Sequence, residues 1–201
     1  MGPFAGWELP MQFSGLINEH QAVRQTVGIF DISHMGVIYL SGENPKDALQ
    51  KLVPSDLHRI GPNEACYTVL LNQEGGILDD LIVYDLGTKD GQRTTLMLVV
   101  NAASTMTDMA WLKRHLEPVG ISLSDGKKNK ALLAIQGPQA NSLLEGLTND
   151  PLRDLPRFGH RHIQLNKLEL STDLSKSAFV ARTGYTGEDG FELLLKADTA
   201  K

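Results

Sequence analysis

Apolar positions recur along this chain in two rhythms, one of period close to 3.6 and one of runs and alternation, and the two take turns from end to end. Leu16, Ile17, Val23 and Val27 fall near one stripe, which predicts a helix over residues 16–27 with Gly28 as its stop. Asn44 before Pro45 is a cap followed by proline at the first helical position, so a second helix should run to Val53, before Pro54. A third begins after Ser104, carries Met109, Leu112 and Leu116 at helical spacing and ends at Pro118; a fourth is expected over 139–147. β-branched and apolar runs predict strands at 37–40, 66–71, 77–86, 94–100, 121–123, 132–135, 162–165, 168–170, 179–182 and 191–195. Residues 87–92 and 125–130 read as polar, exposed loops. Short paired strands broken by single helices place the chain in the α+β class with mainly antiparallel sheet.

The run Ile77-Leu78-Asp79-Asp80-Leu81-Ile82-Val83-Tyr84 is apolar on both faces except for two adjacent aspartates. Neighbouring strand residues point to opposite faces, so at least one aspartate should meet an apolar layer. With the run 66–71 it flanks Asn72-Gln73-Glu74-Gly75-Gly76, which predicts a hairpin. A two-residue turn at Glu74-Gly75 or Gly75-Gly76 puts Asp80, Tyr84 and Tyr67 on one face and Asp79 on the other; a three-residue loop reverses that parity. Burying an ionised carboxylate without a partner costs roughly several kcal/mol, so such a group is paired, hydrogen-bonded or protonated. Two readings follow. One aspartate serves backbone amides or an arginine while the other meets solvent at a sheet edge; or one carboxylate, with tyrosines beside it, accepts the N–H donors of a flat, nitrogen-rich heterocycle.

Composition removes several function classes. Hydrophobic residues make up 41% of the 201 positions, enough for a real core. The formal net charge of -5 and the scatter of basic residues leave no electrostatic footprint for nucleic acid or an anionic membrane. Cys66 is the only cysteine, which excludes an intramolecular disulfide or a multi-thiolate metal site and fits a reducing compartment; it reads as a small buried apolar residue at a strand start. No apolar run approaches the length of a spanning helix. Both ends read as cut: the chain opens on a turn-rich, aromatic segment and closes on polar residues 197–201 that look like the entry to another helix.

Other chemistry-bearing residues have bland readings. Ser33-His34 beside Asp31 lacks the context of an activated serine. His160 and His162 share a strand face, but a metal site needs further ligands, so no metal is predicted. Gly184, Gly187 and Gly190 lie between strand-like runs rather than opening a helix, which excludes a phosphate-cradling loop and favours a tight hairpin presenting Tyr185. Trp7 and Trp111 are expected in core or lid packing.

Six segments in register resemble the aminomethyltransferase family of the glycine cleavage system, also called T-protein. They are Phe4-Ala5-Gly6-Trp7-Glu8-Leu9-Pro10, Phe30-Asp31-Ile32-Ser33-His34-Met35, Leu71-Asn72 with residues 75–84, Val99-Val100-Asn101-Ala102, Ile135-Gln136-Gly137-Pro138, and residues 182–192. The resemblance implies a folate-binding α+β fold that lacks its C-terminal β domain here. It further implies two interleaved subdomains, about 1–46 with 126–201, and 47–125. The implied reaction moves the one-carbon unit from an aminomethylated dihydrolipoyl carrier, the H-protein, to tetrahydrofolate. Ammonia leaves and 5,10-methylenetetrahydrofolate forms.

Carried over by position, Asp80 is the essential carboxylate beside the folate nitrogens, while Met35, Tyr67, Asn101, Tyr185 and Glu192 line the folate pocket, with Tyr84 a neighbour. The implied compartment is the cytoplasm of a bacterium or the mitochondrial matrix of a eukaryote. Folate-binding domains of dimethylglycine and sarcosine oxidising enzymes, sulfoniopropionate demethylases and iron–sulfur maturation factors share the fold and stay open as alternatives, as does an inactive domain.

Overall fold

The computed structural model describes residues 1–89, 93–168 and 176–200, the side chains of Lys89 and Arg93 excepted. In chain order its elements are β1 (Gly2–Phe4), β2 (Trp7–Leu9), α1 (Leu16–Gln25), β3 (Gly28–Asp31), β4 (Gly36–Gly42), α2 (Pro45–Leu49), β5 (Ala65–Leu71), β6 (Ile77–Lys89), β7 (Arg93–Val100), α3 (Thr105–Leu116), β8 (Ser122–Asp125), β9 (Lys130–Gln136), α4 (Ala140–Glu145), β10 (His160–Gln164), β11 (Ser177–Ala181) and β12 (Gly190–Lys196). All strand pairings among the described residues are antiparallel, as the alternation of short strands and single helices predicts. The chain divides into two units, Met1–His34 with Asn129–Lys201, and Met35–Lys128.

The second unit is one five-stranded sheet in the order β5-β6-β7-β4-β8. Period-two alternation sends Leu70, Leu81, Val83, Leu96, Leu98 and Leu40 to one face, where Leu49 of α2 and Leu112 and Leu116 of α3 cover them. Each leucine buried there contributes about 1.5–3 kcal/mol. Val37, Ile82, Tyr84, Met97 and Val99 occupy the other face and are buried too, which explains why β6 reads as apolar on both sides.

The β5–β6 hairpin turns differently from expectation. Asn72 closes a five-residue loop: its N–H donates to Gly76 O at 2.8 Å, and its Oδ1 accepts from the N–H groups of Glu74 and Gly76. Leu71 pairs with Ile77, but Leu70 pairs with Asp79, so Leu78 is an extra residue bulged out of the ladder. The bulge restores the register of a two-residue turn, and Asp80, Tyr84 and Tyr67 share one face, Asp79 the other.

The first unit holds the sheet β10-β11-β12-β9-β3 and, beside it, the small β1–β2 hairpin. Phe191, Leu193 and Leu195 of β12 pack with Val180, Ile163, Leu144 and Leu155. Glu192 therefore projects from the opposite face of β12. The β1–β2 hairpin and β3 were not anticipated. The two β1–β2 strands are three residues each, and their turn is made by Ala5 and Gly6, both at positive φ as a tight two-residue turn demands.

Helix boundaries move inward. Helix α1 stops at Gln25, buries no residue completely and leaves Leu16 and Ile17 exposed. Helix α2 stops at Leu49 because the Gln50 side chain bonds the backbone of Val53, Ser55 and Leu57, folding the next residues into a turn instead of more helix. The loop expected at 87–92 begins later, since β6 runs to Lys89 across an irregularity at Asp85 to Thr88; residues 90–92 lie outside the described residues. So do residues 169 and 170 of the strand expected at 168–170.

Candidate active site

Strand β6 is flanked by β5 and β7, and its first half carries Asp79 and Asp80 into contact with side chains from both neighbours. On the β5 side, Tyr67 stands diagonally across from Asp80 and its hydroxyl donates to Asp80 Oδ2 at 3.1 Å. On the β7 side, Val100 pairs with Leu81, so the next residue, Asn101, arrives beside both aspartates. Its backbone N–H donates to Asp79 Oδ2 at 3.0 Å. Its side-chain amide nitrogen donates to Asp79 Oδ1 at 2.9 Å, Asp80 Oδ1 at 2.9 Å and Asp80 O at 3.1 Å. Three acceptors converge on that nitrogen, which fixes the orientation of the amide by chemistry. One asparagine thus holds two carboxylates that the pleat sends to opposite faces.

The amide is itself anchored. Asn101 O accepts from Thr105 Oγ1 at 2.9 Å and from Ser104 N–H at 3.2 Å, tying the start of α3 to the end of β7. Asp108, one turn into α3, is 1% exposed. Burial first, then a hydrogen bond to Asp79 and the charge of Asp79, push its pKa up to about 8. Asp108 thus holds a proton at neutral pH. The Tyr67 phenol is also pushed up, chiefly by its hydrogen bond to Asp80. None of the ion pairs among the described residues includes Asp79, Asp80 or Asp108.

The remaining predicted residues fall in different places. Tyr84 shares the face of Asp80 but is 1% exposed, so it is a packed ring in this structure. Met35 is half-buried, and its carbonyl accepts from Lys127 Nζ. Tyr185 and Glu192 belong to the first unit. Glu192 is buried and accepts from Thr183 Oγ1, whereas the Tyr185 ring is exposed. Tyr185, Trp7, Phe13 and Phe30 line a cleft of about 980 Å3 in that unit, so Trp7 is a cleft wall rather than a core residue. Ser33 Oγ is bonded to the backbone of Leu132, which leaves it no role as a nucleophile. The His160 ring lies tilted against Phe179 and the His162 ring meets it edge-on, with His160 buried and His162 exposed. Among the described residues no group of three or more His, Cys, Asp or Glu is placed to hold a metal.

Sequence reasoning missed Asp108 and Thr183. For Asp108 a signal existed: it lies four and eight residues before Leu112 and Leu116, on the same buried stripe of α3.

An antiparallel α+β chain with two carboxylates, an amide and a phenol gathered on one sheet defines a class that a known family model recognises. The model of the GCVT N-terminal domain matches residues 1–201, and the chain belongs to that family. The aminomethyltransferase of Prochlorococcus marinus (strain MIT 9313) is 64% identical over 201 residues, 100% of this chain and 53% of that protein. The aminomethyltransferase of Synechococcus sp. (strain CC9902) is 63% identical over 198 residues, 98% of this chain and 53% of that protein. Among solved structures, the glycine cleavage system aminomethyltransferase T from Bartonella henselae superimposes with a TM-score of 0.81 at 34% identity, covering 99% of this chain and 50% of that one. The chain spans about half the length of the relatives it matches.

Proposed function

We propose that this chain carries the folate-side machinery of a glycine-cleavage aminomethyltransferase, with Asp80 as its catalytic carboxylate. The observation that carries the reading is the setting of Asp80: oriented by Tyr67 and Asn101, half-buried, and in no ion pair among the described residues. A carboxylate so held is preorganised for positive charge or for N–H donors. The residues fit a folate. The Tyr67 ring is 51% exposed, a flat surface beside the carboxylate that a planar heterocycle can use.

In the proposed reaction the amine departs as ammonia from the sulfur-bound carbon of the lipoyl carrier, and a tetrahydrofolate nitrogen captures the resulting cationic carbon and loses its proton. The second folate nitrogen then displaces the dihydrolipoyl sulfur, which leaves as the thiol with the proton that this nitrogen gives up. Asp80 stabilises that cation and holds the capturing nitrogen near it. Met35, Tyr67, Asn101, Tyr185 and Glu192 are proposed folate contacts, with the buried Tyr84 a neighbour of Asp80; Glu192 suits the paired N–H donors of an aminopyrimidine edge. The lipoyl-bearing H-protein is the proposed partner. For a bacterial source like that of the cyanobacterial relatives, the cytoplasm is the proposed compartment.

The test is a titration of tetrahydrofolate into this chain and into an extended version with a C-terminal half like that of the relatives, followed by tryptophan fluorescence. Saturable binding weakened by Asp80→Asn supports the reading. Binding that ignores Asp80→Asn in both versions overturns it.

A further inference from the structure

We propose that Asp108 and Asp79 are positioning residues: a buried pair of carboxyl groups sharing one proton, which locks Asn101 and through it sets the direction of Asp80. The positioning itself needs no ligand; only its use in catalysis rests on the one-carbon-transfer reading.

The geometry leads there step by step. Asp79 is 8% exposed, and both its oxygens are occupied by Asn101, one by the backbone N–H and one by the side-chain amide. Asp108 packs against the same carboxylate from α3, and no donor among the described residues bonds its buried Oδ2. Two carboxyl groups in contact away from water, with no cation between them, are stable only if one is protonated and donates to the other. Asp108 is the donor, since its own surroundings favour the neutral form.

The consequence runs through Asn101. Its side-chain nitrogen has two protons for three acceptors, and while Asp79 is held by Asp108 the amide lies between Asp79 Oδ1 and Asp80 Oδ1. Loss of the Asp108 proton sets two negative charges against each other inside the sheet-helix layer. Asp79 then moves, Asn101 follows the acceptor it binds twice, and the Asp80 carboxylate loses the bond opposite Tyr67. The titratable groups in this chain of contacts are Asp79 and Asp80 on β6, Tyr67 on β5 and Asp108 on α3. The spacing belongs to the fold: Asp108 N–H donates to Ser104 O while Ser104 N–H donates to Asn101 O, so the amide and the acid are fixed on one continuous turn.

Solution NMR on this chain without any ligand tests the proposal. The Asn101 side-chain amide is followed from about pH 6 to about pH 9 in the wild type, Asp108→Asn and Asp108→Leu. The expected wild-type result is an Asn101 amide signal that shifts with a midpoint near 8. Asp108→Asn, which donates to Asp79 without a titrating proton, should keep the low-pH signal throughout. Asp108→Leu should speed exchange of the Asn101 amide protons by more than about tenfold.

An Asn101 signal that is flat in the wild type overturns the proposal, and so does an Asp108→Asn signal that still shifts. Those two arms decide the matter even if Asp108→Leu does not fold. Failure here leaves the folate titration untouched, and failure of that titration leaves these signals untouched.

Discussion

Strand β6 buries carboxylates at both ends and treats them in opposite ways. At the far end, Asp85 is 2% exposed; its Oδ2 meets Lys46 Nζ at 2.6 Å and its Oδ1 accepts from Gly87 N–H. At the near end, Asp79 and Asp80 are met by an asparagine, a tyrosine and a protonated acid. The lysine neutralises its carboxylate within the fold and leaves it nothing to offer. The near end spends only hydrogen bonds, so the charge is oriented but not cancelled. A strand can thus hold one carboxylate paired with a cation and another held by hydrogen bonds a few residues apart, and the difference lies in what the neighbouring elements bring to each.

The largest expected effect comes from removing the cation. Lys46→Met takes the cation away from the buried Asp85 carboxylate, and should lower unfolding stability in urea by about 3–5 kcal/mol with the folate titration unchanged in the surviving folded chain. Asp80→Asn should do the reverse: near-wild-type urea stability, with transfer by the complete enzyme reduced by about 100-fold or more. Equal losses of stability from both variants would erase the contrast between the two ends.

The next effect is a slope. Asp108 takes up a proton on folding because its folded value of about 8 lies above its ordinary 3.8. The folded chain therefore binds more protons than the unfolded one between those values. Its contribution to stability is present at low pH, is lost as pH rises towards about 8 and is flat beyond. Asp108→Asn should remove that slope from urea titrations taken at successive pH values. The smallest change expected is Tyr67→Phe, which deletes one exposed hydrogen bond to Asp80. It should weaken tetrahydrofolate by about fivefold while leaving the urea midpoint where it was.

The near end is partly legible in the sequence. Period-two alternation put Asp80 with Tyr67 and Tyr84 and sent Asp79 to the other face, and the register agrees. The turn behind that agreement is not the two-residue form that the sequence suggests, because Asn72 closes five residues and Leu78 bulges to compensate. Turn propensity gives the residues that bend, not the number of bonds that close. Asp108 stayed hidden for another reason. A carboxylate on a helix stripe shows that the stripe tolerates an acid, but its partner on β6 is a product of sheet and helix packing, not of spacing. The stripe of α1 teaches the complementary lesson: Leu16 and Ile17 mark a face with an affinity for cover, yet both stay exposed here.

The bulge at Leu78 divides the hairpin into two zones with unequal tolerance to changes in length. Residues can be gained or lost within the loop closed by Asn72 while the ladder past Asp79 keeps its phase. Deleting Leu78, with the loop held as it is, would slide the strand by one place and exchange the faces of Asp79 and Asp80. The faces on which Asp79 and Asp80 stand are thus kept in frame by one bulged leucine.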